Sequence, residues 1–122
     1  MATVLYIEDN LANRKLVQLL IARRSDLELI SAETGREGLC LAQTYLPDII
    51  LLDISLPDIQ GDQVLKQLRD NSQTSKIPVI AISGDGIEET RLRFPEFQAY
   101  LEKPVDIQMF YDTIDALLDK VA

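Results

Sequence analysis

Short apolar runs alternate along the chain with longer stretches in which apolar residues recur every three or four positions, the pattern of strands followed by amphipathic helices. Val4-Leu5-Tyr6-Ile7 is the first run. The segment from Leu11 to Arg24 behind it, with Leu16, Leu19, Leu20 and Arg23 at helical spacing, predicts a helix. Leu27 to Ala32 predicts a second strand. Thr34 and Glu37 have the spacing of a capping box, which opens a helix that runs to about Tyr45 and stops before Pro47. Asp48-Ile49-Ile50-Leu51-Leu52-Asp53 is apolar at four consecutive positions. A strand with no polar alternation is covered on both faces, so this one belongs in the middle of a parallel sheet.

A loop with Pro57 and Gly61 leads to a helix over about Asp62 to Asp70 with Val64, Leu65 and Leu68 inward. Pro78 to Ile82 is the fourth strand, broken by Ser83-Gly84-Asp85-Gly86. Ile87 to Phe97 is poorly periodic and carries Pro95, and a fifth strand falls near Gln98 to Leu101. Ile107, Phe110, Tyr111, Ile114, Leu117, Leu118 and Val121 stripe a last helix whose N-cap is Asp106. Strands that alternate with helices in this way predict an α/β domain with helices on both faces of a parallel sheet.

Composition narrows the chemistry. With 122 residues, 47% of them hydrophobic, the chain suits one domain, 1–122, and is long enough to bury a single core. The net charge is -8 and the basic residues are scattered, in close pairs such as Arg23-Arg24 and Arg91/Arg93 at most, so nucleic-acid binding, which needs clustered cations against phosphates, is not expected. No apolar run approaches the roughly 18 to 20 residues that cross a bilayer, so membrane insertion is not expected and the location is read as cytoplasmic. Cys40 is alone and there is no His, which excludes an intrachain disulfide and a His-based metal site. Oxygen ligands remain, and they favour Mg²⁺ or Ca²⁺ over Zn²⁺.

In open α/β sheets ligands bind beyond the carboxyl ends of the strands. Glu8-Asp9 follows the first strand, Asp53 ends the third, Ser83 follows the fourth and Lys103 follows the fifth. Singly, each has a plainer reading as a helix cap, a turn residue or a surface charge. Together, with strand order 2-1-3-4-5, they meet in one crevice. Three carboxylates there require a cation, since two unit charges about 5 Å apart cost about 3 kcal/mol at an effective dielectric near 20. Mg²⁺ suits such a cluster, and Asp53 is placed to act as a nucleophile toward phosphorus.

Val4-Leu5-Tyr6-Ile7-Glu8-Asp9-Asn10, Pro47 to Asp58, Pro78 to Ser83 and Tyr100-Leu101-Glu102-Lys103-Pro104, in this order and spacing, resemble the receiver domain of bacterial two-component response regulators. The Glu-Asp-Asn after the first strand is also familiar from receivers of hybrid sensor kinases. The resemblance implies a flavodoxin-like (βα)5 fold, doubly wound, with five parallel strands ordered 2-1-3-4-5. It implies that Asp53 accepts a phosphoryl group from a phosphohistidine on a histidine kinase or histidine phosphotransfer protein. Mg²⁺ would then be held by Asp9, Asp53 and the Ser55 backbone carbonyl, with Glu8 acting through water. Lys103 and Ser83 would bind phosphate oxygens, Ser83 and Tyr100 would form the conformational switch, and Lys103-Pro104 would be cis. A downstream protein target would read the change. The domain would catalyse only its own phosphorylation and dephosphorylation.

Between Ser83 and Lys103 the chain is about two residues shorter than most relatives, lacks their Gly-Ala before the last strand and carries Pro95, so the fourth helix is expected to be short or displaced. One rival reading keeps the fold as a phosphorylation-independent protein-interaction module. A phosphatase would want a second Asp where Ser55 stands. A flavin site would want a Ser, Thr or Gly-rich loop where Glu8-Asp9-Asn10 stands.

Overall fold

The computed structural model describes residues 1–121, with side chains through Asp119. Strands β1 (Ala2–Ile7), β2 (Leu27–Ala32), β3 (Ile49–Asp53), β4 (Val79–Ser83) and β5 (Ala99–Glu102) alternate with helices α1 (Leu11–Ala22), α2 (Gly35–Tyr45), α3 (Gly61–Asp70), α4 (Ile87–Arg93) and α5 (Ile107–Val121). Every strand pair is parallel and the order is β2-β1-β3-β4-β5, the expected flavodoxin-like sheet.

The two-residue period of the strands sorts the core into two layers. Val4, Tyr6, Ile49, Leu51, Ile80 and Ile82 face α1 and α5, while Leu5, Ile7, Ile50, Leu52, Val79 and Ala81 face α2 and α3. Ile49 to Leu52 are fully buried, and each such side chain contributes about 1.5–3 kcal/mol relative to exposure. This is why β3 has no polar alternation and sits in the middle. Gly38 lets α2 lie directly on β1: a Cβ there would be 2.4 Å from Ile7 Cδ1.

The helix starts agree with their sequence signals in most details. Asp106 caps α5 by accepting from Met109 N at 2.9 Å, and Thr34 Oγ1 accepts from Glu37 N at 3.1 Å. Glu37 does not close the capping box on Thr34. Its carboxylate accepts from Glu33 N instead, one residue earlier, at 2.9 Å.

Two helices depart from the expected stripes. The buried residues of α1 are Val17, Leu20 and Ile21, whereas Leu19 is 66% and Leu16 36% exposed. The helix carries two overlapping apolar faces that share Leu20, and packing against β1 and α5 selects the one with Val17 and Ile21. It ends at Ala22, short of Arg24, whose N–H donates to the Ile21 carbonyl at 3.0 Å and whose guanidinium reaches Asp26 and Asp115, each at 2.8 Å. On α5, Phe110, Ile114 and Leu117 are buried, but Ile107 in the first turn is 46% exposed, ahead of the part that packs on the sheet. The side chain of Val121 and all of Ala122 lie outside the described residues. Helix α4 is 7 residues long and stops at Phe94, just before Pro95, as the Pro predicts. No helix among the described residues is long and apolar enough to cross a membrane.

Candidate functional site

The ends of β1, β3, β4 and β5 bring the predicted groups to one edge of the sheet. Asp53 closes β3 and is buried, 3% exposed; its Oδ1 accepts from Ser55 N at 3.0 Å and its Oδ2 lies 3.3 Å from Lys103 Nζ. Glu8, just past β1, is fully buried and its Oε1 lies 3.0 Å from the same ammonium. Asp9 is exposed and joins them: Glu8, Asp9 and Asp53 each offer a carboxylate oxygen within 4.8 Å of the others. Glu8-Asp9 does not cap α1. Asn10 does, its Oδ1 accepting from Asn13 N at 3.0 Å.

Burial, and then the hydrogen bond and charge of Glu8, push the Asp53 carboxyl above the ordinary Asp range, offset in part by Ser55 N and Lys103. For Glu8, burial alone would raise the pKa, but hydrogen bonds from the Asp53 carboxyl, the Lys103 ammonium and Asn10 N hold it below the ordinary range. The two carboxylates share one environment and titrate as a pair, which holds a proton more readily when no cation offsets their charge. Burial works against the Lys103 ammonium, yet Glu8 and Asp53 together raise its pKa. Three carboxylates against one ammonium form an oxygen-only donor set with excess negative charge, which fits a hard divalent cation such as Mg²⁺.

Ser83 is buried at the end of β4, where its Oγ accepts from Asp85 N at 3.1 Å, and its carbonyl accepts from Lys103 N at 2.8 Å. The Lys103-Pro104 peptide is cis. Ser55 sits exposed on the loop after Asp53. Beside Ser83 opens a cleft of about 350 Å³, lined among others by Ile54, Ser55, Asp85, Thr90 and Phe94. Tyr100 is half-buried next to it: its hydroxyl donates to the Phe94 carbonyl, its ring meets the Phe97 ring edge-on at 6.0 Å, and the Arg91 guanidinium lies 5.1 Å from its centroid. A wider groove of about 620 Å³ between α2 and α3 holds none of the predicted residues.

Four supporting residues escaped the sequence reading. Tyr6 donates its hydroxyl to Glu8 Oε1 at 3.1 Å, and Asn13 Nδ2 donates to the same oxygen at 3.0 Å. Arg14 Nη1 donates to the carbonyls of Glu8 and Asp9, both at 2.9 Å, while Nη2 reaches Glu33 Oε1 at 3.0 Å. Asp58, on the loop after β3, accepts from Gly35 N at 2.9 Å and Arg36 N at 3.0 Å, tying that loop to the start of α2. Tyr6 had a usable signal, since it precedes Glu8 by the strand period and so leaves β1 on the same side. Asn13, five residues after Glu8, and Arg14, six after it, lie in the first turn of α1, over the acidic turn. Asp58 had no such signal, because its partners are main-chain amides of a distant helix.

The family model for the response regulator receiver domain matches residues 4–115. The polar-differentiation response regulator DivK of Brucella ovis is 39% identical over 118 residues, covering 95% of each chain. Among solved structures, the chemotaxis response regulator CheY4 of Vibrio cholerae is similar with a TM-score of 0.86 at 25% identity, covering 96% of this chain and 98% of that one. The receiver domain of the sensor histidine kinase PA1611 from Pseudomonas aeruginosa, described with a magnesium ion coordinated in its active site cleft, shares the fold with a TM-score of 0.87 at 20% identity, covering 97% and 98%. By its matched length and its relatives, the chain belongs to the response regulator receiver domains of two-component signalling.

Proposed function

We propose that residues 1–122 act as one receiver unit in which Asp53 takes a phosphoryl group from a phosphohistidine of a histidine kinase or histidine phosphotransfer protein. The observation that carries this reading is the pair of contacts of one ammonium, Lys103 Nζ, with Asp53 Oδ2 at 3.3 Å and Glu8 Oε1 at 3.0 Å, inside a cluster of three carboxylates. In the transfer an Asp53 oxygen forms the new bond to phosphorus while the P–N bond to the imidazole breaks and its electron pair stays on nitrogen. The chain thus catalyses its own modification, and its later loss to water, but no turnover of a separate substrate.

Asp9, Asp53 and the Ser55 carbonyl would hold Mg²⁺, with Glu8 acting through water. The carboxylate cluster supports this, and the magnesium described for the PA1611 receiver is in keeping with it. Bound there, the ion supplies positive charge against the phosphoryl oxygens. Lys103 supplies a second cation and Ser83 a hydroxyl donor for the same oxygens. When Ser83 turns to the phosphoryl group it gives up Asp85 N, and the β4–α4 turn is released. Tyr100 follows by leaving the Phe94 carbonyl, so its inward turn is coupled to the end of α4. A downstream protein then reads the altered α4 and β5 surface.

Incubation with MgCl₂ and acetyl phosphate, read by intact mass, tests the assignment. The wild type is expected to gain one phosphoryl group and Asp53→Asn none. Equal labelling of both, or no labelling of the wild type, rejects it.

A further inference from the structure

Glu8 Oε1 receives three donors, Tyr6 Oη at 3.1 Å, Asn13 Nδ2 at 3.0 Å and Lys103 Nζ at 3.0 Å. Its Oε2 accepts only from Asn10 N, at 3.3 Å, among the described contacts. One carboxylate oxygen has two lone pairs, so three donors share it and each holds less firmly than it would alone. Lys103 must quit this oxygen to bind a phosphoryl group. Without other donors, Glu8 would then be a buried, unpaired anion, and the cost of that state would hold Lys103 back.

The Tyr6 ring is 1% exposed and packs with Val4, Leu51 and their neighbours, a duty that a phenylalanine performs equally, as Phe110 does in the same layer. The hydroxyl is the distinguishing group. Tyr100 and Tyr111 satisfy theirs on main-chain carbonyls, of Phe94 and Leu20, whereas Tyr6 directs its own to a carboxylate of the reactive cluster.

We infer that Tyr6 is a positioning residue of the site: with Asn13, its hydroxyl keeps the Glu8 carboxylate oriented while Lys103 moves from Glu8 to the phosphoryl group. The inference rests on the reading of Asp53 as phosphoacceptor. Partners that orient the groups around a metal typically matter by 10–100-fold in affinity, and one of two such donors is expected to matter at the lower end, about tenfold.

The test is calorimetric titration of the full chain with MgCl₂, with acetyl phosphate labelling and thermal unfolding alongside. Tyr6→Phe is expected to unfold cooperatively, to bind Mg²⁺ about tenfold more weakly and to label more slowly. Asn13→Ala, which leaves the core untouched, is expected to shift both in the same direction by less, and it decides alone if Tyr6→Phe does not fold. In a Glu8→Gln background both shifts are expected to vanish, whereas a core-packing effect of Tyr6 would persist there. Wild-type Mg²⁺ affinity in Tyr6→Phe and Asn13→Ala, or shifts undiminished in Glu8→Gln, overturns the role of Tyr6. If the wild type still labels at Asp53 in that case, the phosphoacceptor reading stands. A wild type that binds Mg²⁺ but is never labelled removes both.

Discussion

The acidic cluster and the α4 segment lie side by side at the same edge of the sheet and are held by opposite means. At the cluster, two buried carboxylates are gripped by Lys103, Tyr6, Asn13, Ser55 N and Asn10 N, and Arg14 fixes the turn beneath them. In α4 only Thr90 is buried, Leu92 is 83% exposed, and Gly84 in the turn before it has open space around its Cα. What holds that segment, besides Phe94 against the core layer of α2 and α3, is the Tyr100 hydroxyl on the Phe94 carbonyl and the Arg91 guanidinium on the Tyr100 ring. Buried charge is costly when a donor is missing, so it fixes geometry; a short helix on exposed contacts repositions at little cost. The pairing suits a device in which a rigid chemical site moves a soft neighbour.

Variants on the two sides should separate accordingly. Lys103→Met leaves Glu8 buried without its ammonium, and breaking one side of a buried pair costs about 3–5 kcal/mol, here at the lower end because Lys103 is 25% exposed. Urea unfolding should show this loss, partly restored by a second change, Glu8→Gln. A loss below that of the α4 variants would erase the contrast.

Next in size is the effect of Mg²⁺ on the melting temperature. The raised Asp53 pKa contributes stability below the ordinary Asp value that is lost as pH climbs through the folded value, while the depressed Glu8 pKa contributes stability above the ordinary Glu value that is lost in acid. A cation competes with the proton held by the Glu8–Asp53 pair, so MgCl₂ should stabilise more near pH 7.5 than near pH 5, by up to about 2.7 kcal/mol at a hundredfold excess over Kd. Equal gains at both pH values would place the ion elsewhere.

Tyr100→Phe removes the hydroxyl that ends on Phe94 and should cost about 1 kcal/mol. Faster amide exchange should be confined to α4 and its flanks, with Mg²⁺ affinity unchanged. Leu92→Ala is expected to stay within about 0.5 kcal/mol of wild type, since its side chain is mostly in solvent. A larger loss would mean that α4 is packed more firmly than its exposure implies.

Most of the architecture could be read from the residues because burial writes itself into apolar runs. β3 is legible as a central strand from Ile49 to Leu52, α3 from Val64, Leu65 and Leu68, and the break after Phe94 from Pro95. The phase of α1 was not legible. Leu16, Leu19 and Leu20 make as good a stripe as Val17, Leu20 and Ile21, and only tertiary packing chooses between them. At the site, the charged residues after each strand stood out by type and position. The donors that support them did not, because a core tyrosine, a first-turn asparagine and an arginine bonded to carbonyls look ordinary until the chain has folded.

Arg14 carries one further implication. A single guanidinium spans the turn after β1, through Glu8 and Asp9, and the turn after β2, through Glu33. A one-residue insertion in the β2–α2 loop is expected to draw Glu33 away and leave the guanidinium tied to the acidic turn alone, although it touches no reactive group. Indels in this protein should be better tolerated where no side chain stitches two loops together.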